Sequence, residues 1–252
     1  MEKQRIFLST IDPEAGNIAR AQGLGVEIAE YCTASNMDEG FEENHRKVLE
    51  ELRGVTHRIL HGPFNELFPC AIDPKARALA AQRYRQACDL ASGYGADKVV
   101  IHAGFVPHIY YPCWYTEQSV LFWREFLKDT PGNLTICLEN VMESDPGWMR
   151  DIVKEVDDPR LGICLDVGHA NVCSQIPVSG WLETLGPWIR HFHMHNNDST
   201  ADTHSSLAQG NIPMEDILHQ AEGLDATVTL EVTNGAVDVD WLRQKGLLEE
   251  EV

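Results

Sequence analysis

The stretch that decides the fold is residues 190–212, RHFHMHNNDSTADTHSSLAQGNI. It begins with alternating residues, which predict a strand over 189–195, and continues into a polar loop with Asp202 and His204. Because side chains of a strand alternate between its faces, one face carries three histidines: His191, His193 and His195. Imidazole and carboxylate groups are ligands that Zn²⁺, Mn²⁺ and Co²⁺ accept. The stretch therefore indicates a strand end with metal ligands; a hydrated His-rich loop is the alternative.

The composition limits the class of protein. The chain has 252 residues, a length that suggests one large domain or two small ones, and its 43% hydrophobic residues can form a substantial core. Its net charge is −19. Its seven cysteines form no C-x-x-C pair and are interpreted as reduced residues. Since no signal-peptide pattern and no apolar run of about 18 residues is found, we expect a cytoplasmic location. The negative charge repels polyanions, so we expect neither a nucleic acid nor an anionic membrane as a partner.

Short β-branched runs alternate with helical patterns along the chain. Strands are predicted at 5–10, 25–31, 58–61, 98–102, 134–139, 161–166, 189–195 and 227–232. Helices are predicted at 43–52, 74–93, 118–128, 148–156, 181–185, 213–221 and 241–250. This alternation predicts an α/β fold, a single (β/α)₈ TIM-barrel domain over residues 1–252. A doubly wound sheet is the main alternative, but residues 9–17 contain no G-x-G-x-x-G phosphate loop.

Ionisable residues lie at the ends of the predicted strands or in the loops that follow. They are His61, His102, Glu139, Asp166, His169, His193, Asp202, His204 and Glu231. The carboxyl ends of barrel strands meet at one mouth, where active sites are found. Gathering so many charges there without a cation would cost several kcal/mol per ion. These nine residues therefore predict a metal site.

The chain also resembles a known group of barrels. The motifs that carry the resemblance are IHAGF (101–105), LEN (138–140), CLDVGHAN (164–171), HMHNND (193–198), DTH (202–204), LAQGNI (207–212) and LEV (230–232). They are similar to the xylose-isomerase-like TIM-barrel superfamily, which includes sugar phosphate isomerases/epimerases and the apurinic endonuclease IV type (family 2). The resemblance covers most of the chain and is more specific for fold and metal site than for substrate.

The two branches of this superfamily imply different metal sites. The isomerase/epimerase branch implies one divalent ion held by Glu139, Asp166, His193 and Glu231, with Glu139 and Glu231 also moving protons as catalytic residues. The endonuclease branch implies three zinc ions: one on His61, His102 and Glu139; one on Asp166, His193 and Glu231, with Glu139 bridging; and one on His169, Asp202 and His204. The sequence contains all nine residues but has Asn196 and Asn197 where both branches often have an acidic residue.

The loops expected at the mouth contain no Lys or Arg. They span residues 9–17, 31–44, 62–74, 103–117, 140–148, 167–181, 196–212 and 232–240. DNA-binding rims normally carry several cations, so this rim argues against duplex DNA. It also weakens the case for a substrate phosphate, unless metal ions or backbone N–H groups bind it. The sequence favours a metal-dependent sugar (or sugar-phosphate) isomerase/epimerase that transfers a proton through an enediolate and uses one to three ions of Zn, Mn, Co or Mg.

Two alternatives stay open: a multinuclear zinc phosphoesterase of the endonuclease IV type, and a non-catalytic barrel that binds metal or sugar. Substrate contacts are predicted at Phe105 and Trp114, because loop 103–117 is rich in aromatic residues, and separately at His195 of the seventh strand. That loop is equally compatible with a lid that packs on its own helix, or with a homodimer in which a neighbour closes the mouth. His191 is predicted to lie in a layer of the barrel interior, and Glu27 either reaches the mouth or lies below it.

Overall fold

Eight parallel strands form a closed barrel in the computed structural model, which describes residues 1–248. Neighbouring strands follow each other in sequence, and the last strand pairs with the first. The strands are β1 Ile6–Ser9, β2 Gly25–Ile28, β3 Arg58–His61, β4 Lys98–His102, β5 Thr135–Glu139, β6 Leu161–Asp166, β7 Ile189–Met194 and β8 Thr227–Leu230. The (β/α)₈ fold expected from the alternating pattern is confirmed.

Helices surround the barrel. Within residues 1–248 they are α1 Ala15–Gln22, α2 Phe41–Glu51, α3 Pro74–Tyr94, α4 Pro112–Phe126, α5 Pro146–Val156, α6 Val167–Cys173, α7 Val178–Leu185, α8 Met214–Glu222 and α9 Gly235–Gln244. The starts of α3 and α5 follow from the sequence, since Asp73 and Asp145 accept hydrogen bonds from backbone N–H groups of the first turn. A proline follows each of these caps, where its missing N–H costs nothing. None of the described helices is both long and apolar enough to cross a membrane.

The structure corrects several predicted boundaries. Helices α1 and α6 were not predicted; α6 has only seven residues, too short for a periodic pattern. Helix α4 begins at Pro112 rather than 118, so the last six residues of the predicted loop 103–117 are helical. The last helix ends at Gln244, while residues 249 and 250 of the predicted helix lie outside the described residues.

Two apolar regions support the mouth of the barrel. Phe7, Ile59, Val100, Cys137 and Cys164 fill the lower interior as a separate buried cluster. A larger core lies between the strands and the helices, and it includes the fully buried Trp123, Trp181 and Met149. Because side chains alternate along each strand, the inward positions that follow the lower layer lie at the carboxyl ends of the strands. The candidate site lies there.

Candidate metal centre

The nine ionisable residues predicted from the strand ends meet at the mouth. Strand pairing already brings some of them together, since His102 is the register partner of Glu139 and Asp166 that of His193. They take part in three clusters at the mouth, in each of which the ligand atoms lie within 4.8 Å of one another; His61 and His193 also form a group with Glu27, and His193 one with Cys164 and His191. The first cluster is His61, His102 and Glu139; the second is Glu139, Asp166, His193 and Glu231; the third is His169, Asp202, His204 and, in addition, His195. Glu139 belongs to two clusters.

Three of the histidines are oriented by backbone carbonyls. The Nδ1 atoms of His61, His169 and His204 each lie 2.9 Å from a carbonyl oxygen, those of Gly62, Asn140 and Glu231 respectively. A carbonyl oxygen can only accept a hydrogen bond, so Nδ1 carries a proton, and Nε2 is the nitrogen whose lone pair becomes free for a metal ion when the ring is neutral. Each Nε2 lies 3.1–3.2 Å from a carboxylate of its own cluster. The lone pairs therefore point into the clusters, as metal ligands require.

His193 is oriented from below by a carboxylate. Its Nε2 donates to Oε1 of Glu27 at 2.9 Å, which leaves the lone pair on Nδ1. That Nδ1 lies 3.1 Å from Oε2 of Glu231 and 3.3 Å from Oε1 of Glu139. Both Nδ1 of His193 and Oε2 of Glu231 are buried without a hydrogen-bond partner. Two acceptors that face each other repel unless a cation lies between them, so these residues fit a divalent metal ion.

The charges of the clusters shift the pKa values strongly. Burial lowers the pKa of His193, but Cys164, Glu27, Glu231 and Glu139 outweigh it and raise the pKa well above the ordinary value. For His204, burial is likewise outweighed by Asp202 and Glu231, and the pKa is raised to about 9. Burial lowers the pKa of His102 to about 4. The carboxylates of the metal-free mouth therefore favour positive charge at His193 and His204, whereas burial keeps His102 neutral.

A polar layer lies directly below the second cluster. Glu27 is 1% exposed and accepts hydrogen bonds from His193, from Nε2 of His191 at 3.0 Å and from the hydroxyl of Thr229. His191 also lies 2.7 Å from the hydroxyl of Thr227 through Nδ1. His191 thus belongs to the barrel interior, as predicted, and Glu27 lies below the mouth. The sequence left the role of Glu27 open, because nothing in the β2 pattern indicates that its partners lie on β7.

The two asparagines that replace acidic residues hold loop 7 (residues 195–213) in shape. The Nδ2 group of Asn196 donates to Leu207 O at 2.8 Å and to Ile212 O at 3.2 Å. Nδ2 of Asn197 donates to Gly168 O at 3.0 Å and so ties the loop to α6. A carboxylate could not donate these hydrogen bonds. The two asparagines therefore support the loop, and the nine predicted ligands still lie together at the mouth.

Two cavities open at the mouth. The first, about 540 Å³, is lined by residues of all three clusters together with Phe64, whose ring stacks on His102 at 4.2 Å. The second, about 1030 Å³, is largely apolar and includes Phe105, Tyr110, Tyr111, Met142 and Trp148. Phe105 packs on Trp148 with ring centroids 4.8 Å apart.

The aromatic residues of the predicted loop 103–117 divide between packing and lining. Trp114 donates from Nε1 to Cys70 O at 2.9 Å and is absent from the walls of both cavities. Tyr115 is fully buried and donates to Glu143. Phe105 lines the larger cavity. Contacts of Phe105, Trp114 and His195 with a substrate stay predictions.

Comparisons with known proteins agree with this architecture. The family model described as xylose isomerase-like TIM barrel matches residues 18–250. An uncharacterized protein of Methanocaldococcus jannaschii is 28% identical over 81% of this chain and 73% of its own length. A probable endonuclease 4 of Mycobacterium ulcerans is 24% identical over 90% of this chain and 94% of its own length.

Solved structures have the same fold. A D-tagatose 3-epimerase-like protein superimposes with a TM-score of 0.79 at 22% identity, covering 96% of this chain and 97% of its own. The TTHB071 protein of Thermus thermophilus, soaked with ZnCl₂, has a TM-score of 0.76 at 25% identity, covering 96% of this chain and 98% of its own. The neighbours thus include an epimerase-like protein and a zinc-soaked one.

Proposed function

Because the chain belongs to the xylose isomerase-like TIM-barrel family, and because its mouth carries three ligand clusters, we propose that it is a metal-dependent hydrolase of small phosphate esters of carbohydrates that works with up to three zinc ions. A fold alone does not determine the reaction, so the proposal depends on the clusters. The sequence alone favours an isomerase/epimerase and keeps the phosphoesterase as an alternative; the three clusters lead us to prefer the phosphoesterase.

The observation that carries the proposal is the presence of the first and third clusters beside the second. A one-ion isomerase needs only Glu139, Asp166, His193 and Glu231. A site with one ion would leave the Nε2 atoms of His61, His169 and His204, which face the mouth, without a metal to bind. Several ions side by side are the arrangement used for in-line displacement at phosphorus. Glu139 supports it further, since it belongs to both the first and the second cluster.

The residues of the chain would hold the ions and shape the cavity. Divalent ions in such a centre supply Lewis acidity for a phosphoryl oxygen and lower the pKa of water. In hydrolysis, water adds to phosphorus, the bond to the leaving oxygen breaks, and the alcohol departs with a proton. Phe64 covers one face of the His102 ring, while Glu27 and the backbone carbonyls fix the imidazoles. The protein thus orients the imidazoles and shapes the cavity.

The charge of the rim supports a small substrate. The loops that follow the strands contain no Lys or Arg, and Lys47 of α2 lies 3.6 Å from Glu30. Positive charge for a phosphate would therefore come from the ions and from backbone N–H groups. Duplex DNA needs many cationic contacts along its backbone. A cavity of about 540 Å³ suits a single sugar phosphate.

A metal-dependent sugar isomerase/epimerase is the second candidate. The observation that favours it is that Glu139 of β5 and Glu231, just beyond β8, face the same cluster from different strands. One carboxylate could remove a proton next to a carbonyl and the other could return it. The apolar cavity beside Phe105 and Trp148 is also compatible with the C–H faces of an unphosphorylated sugar.

One pair of assays separates these candidates. Zinc-loaded protein is incubated with a panel of sugar phosphates and with bis(4-nitrophenyl) phosphate, and released phosphate or nitrophenol is measured. In parallel, NMR follows exchange of α-protons of aldoses and ketoses with deuterium from solvent. The proposal expects ester hydrolysis that is lost in Glu139→Gln and retained in His219→Gln, a change at an exposed helix residue. Proton exchange without hydrolysis would favour the isomerase, and activity in neither assay would favour a binding protein.

A further inference from the structure

The third cluster contains four candidate ligands, one more than the sequence resemblance implies. We propose that His195 is the fourth protein ligand of the ion in this cluster, so that the ion is enclosed by His169, His195, Asp202 and His204. The inference rests on the metal centre of the proposed function but not on its reaction. It replaces the expected role of His195 as a substrate contact.

The first observation concerns the proton on the His195 ring. His195 is 0% exposed, and its Nε2 lies 3.1 Å from both carboxylate oxygens of Asp166. A carboxylate accepts hydrogen bonds, so Nε2 carries the proton and the lone pair is on Nδ1. This Nδ1 is buried and has no hydrogen-bond partner. A buried polar atom without a partner is unfavourable and calls for an explanation.

The second observation is the direction of that lone pair. Nδ1 of His195 lies 3.6 Å from Oδ1 of Asp202, too far for a hydrogen bond. The other oxygen, Oδ2, lies 3.2 Å from Nε2 of His169 and 3.1 Å from Nε2 of His204. The Asp202 carboxylate is therefore surrounded by three imidazoles whose lone pairs face it. Zinc bonds of about 2.0–2.2 Å put tetrahedral ligand atoms roughly 3.4 Å apart, close to these separations.

The third observation is that packing holds the ring in place. His195 stacks on His204, with ring centroids 4.0 Å apart and an angle of 12° between the planes. Its other neighbour is Gly168 of α6, where a Cβ atom would overlap the imidazole ring. These contacts restrict the His195 ring. Because a metal ion binds in the plane of an imidazole, an ion shared by His195 and His204 requires the two rings to tilt away from this stacked arrangement.

This arrangement implies a division of work among the clusters. Zinc with four protein ligands is typical of closed, structural sites, whereas catalytic sites keep an open position. The ion in the third cluster would therefore anchor loop 7, which supplies His195, Asp202 and His204. Water and substrate would then bind at the first and second clusters. Asp166 connects the two regions, since it belongs to the second cluster and accepts a hydrogen bond from Nε2 of His195.

The test compares zinc binding by the full-length protein and three variants. His195→Gln removes the proposed ligand, His204→Gln removes another ligand of the same cluster, and His219→Gln is an exposed control. Zinc content and affinity are measured by competition with a chromophoric chelator. We expect His195→Gln to weaken one ion at least about 100-fold, the upper end of the loss caused by outer-shell changes. We expect no change in His219→Gln.

A second variant keeps the test decisive if His195→Gln does not fold. His195→Cys keeps a ligand of similar reach, and its complex with Co²⁺ should show a thiolate-to-cobalt absorption band that the wild-type complex lacks. Cobalt binding without this band would overturn the inference, as would unchanged zinc affinity in His195→Gln. If His204→Gln loses an ion and His195→Gln does not, only this inference fails. If neither variant loses an ion, the three-ion centre of the proposed function fails as well.

Discussion

Nε2 of His193 donates a hydrogen bond of 2.9 Å to Oε1 of Glu27, a carboxylate of β2 that lies beneath the candidate metal centre and is separated from β7 by β8 and β1. Burial alone would raise the pKa of Glu27, but His193 and His191 lower it well below the ordinary value. Glu27 is therefore a carboxylate that accepts hydrogen bonds and fixes which nitrogen of His193 faces the ligands. Such carboxylate–histidine pairs are typical supports of metal ligands.

Replacing Glu27 should weaken the second cluster. In Glu27→Gln the amide no longer specifies the proton on Nε2 of His193, so we expect zinc affinity at this cluster to fall about 10–100-fold. Competition with a chelator measures the loss. Thr229→Val is the matched control, because it removes one hydroxyl donor to Glu27 and keeps the carboxylate; it should have a smaller effect. Equal affinity in wild type and Glu27→Gln would contradict this role.

Glu139 and Glu231 should differ in the number of ions that depend on them. Glu139 belongs to the first and second clusters, whereas Glu231 belongs only to the second. Glu139→Gln is therefore expected to lose tight binding of two ions, and Glu231→Gln of one. Elemental analysis after gel filtration counts the ions. The same loss in both variants would show that Glu139 does not bridge the clusters.

Metal affinity should rise with pH. The pKa of His204 in the metal-free protein is raised to about 9, and that of His169 is also raised. An imidazole must lose its proton before it binds metal, so below these pKa values each ion displaces protons. Affinity at the third cluster should increase up to about tenfold per pH unit for each displaced proton between pH 7 and 9, and then level off. Calorimetry in buffers of different ionisation enthalpy measures the released protons, and an affinity independent of pH would contradict the shifts.

Restoring an acidic residue in loop 7 should destabilise the protein. Asn196→Asp removes the donations to Leu207 O and Ile212 O and buries a charge, since Asn196 is 2% exposed. The free energy of unfolding should fall by at least about 1–3 kcal/mol. Urea unfolding of metal-free protein measures it, with the exposed change Asp198→Asn expected within about 0.5 kcal/mol of wild type. A stable Asn196→Asp would show that the amide is not needed.

Duplex DNA should bind weakly despite the similarity to a probable endonuclease 4. The rim loops contain no Lys or Arg, and the net charge is −19. We expect fluorescence anisotropy to detect no submicromolar binding of a duplex with an abasic site at physiological salt. Tight, salt-dependent binding would point to an endonuclease instead.

The fold and the convergence of the nine candidate ligands could be predicted because each depends on a local pattern. Alternating runs predicted the strands, and Glu139 or Asp166 could be read as the last residue of a strand whose end lies at the mouth. The nine residues were predicted to meet, and the structure brings them together. Because parallel strands in sequential order bring all their carboxyl ends to one mouth, this prediction did not require knowledge of the side-chain contacts.

The supporting residues could not be predicted in the same way. Glu27 contacts His193, 166 positions later, and no period in the sequence links β2 to β7. His195 was predicted to share a face with His193, but its place in the third cluster depends on Asp202, whose loop has no regular pattern. Such contacts depend on tertiary packing rather than on local propensity.

The most direct test of the three-cluster centre is the anomalous diffraction of zinc-equilibrated crystals, measured above and below the zinc absorption edge. We predict three anomalous peaks at the mouth: one beside His61 and His102, one between Asp166 and His193, and one enclosed by the third cluster. A single peak at the second cluster, or none, would contradict the account.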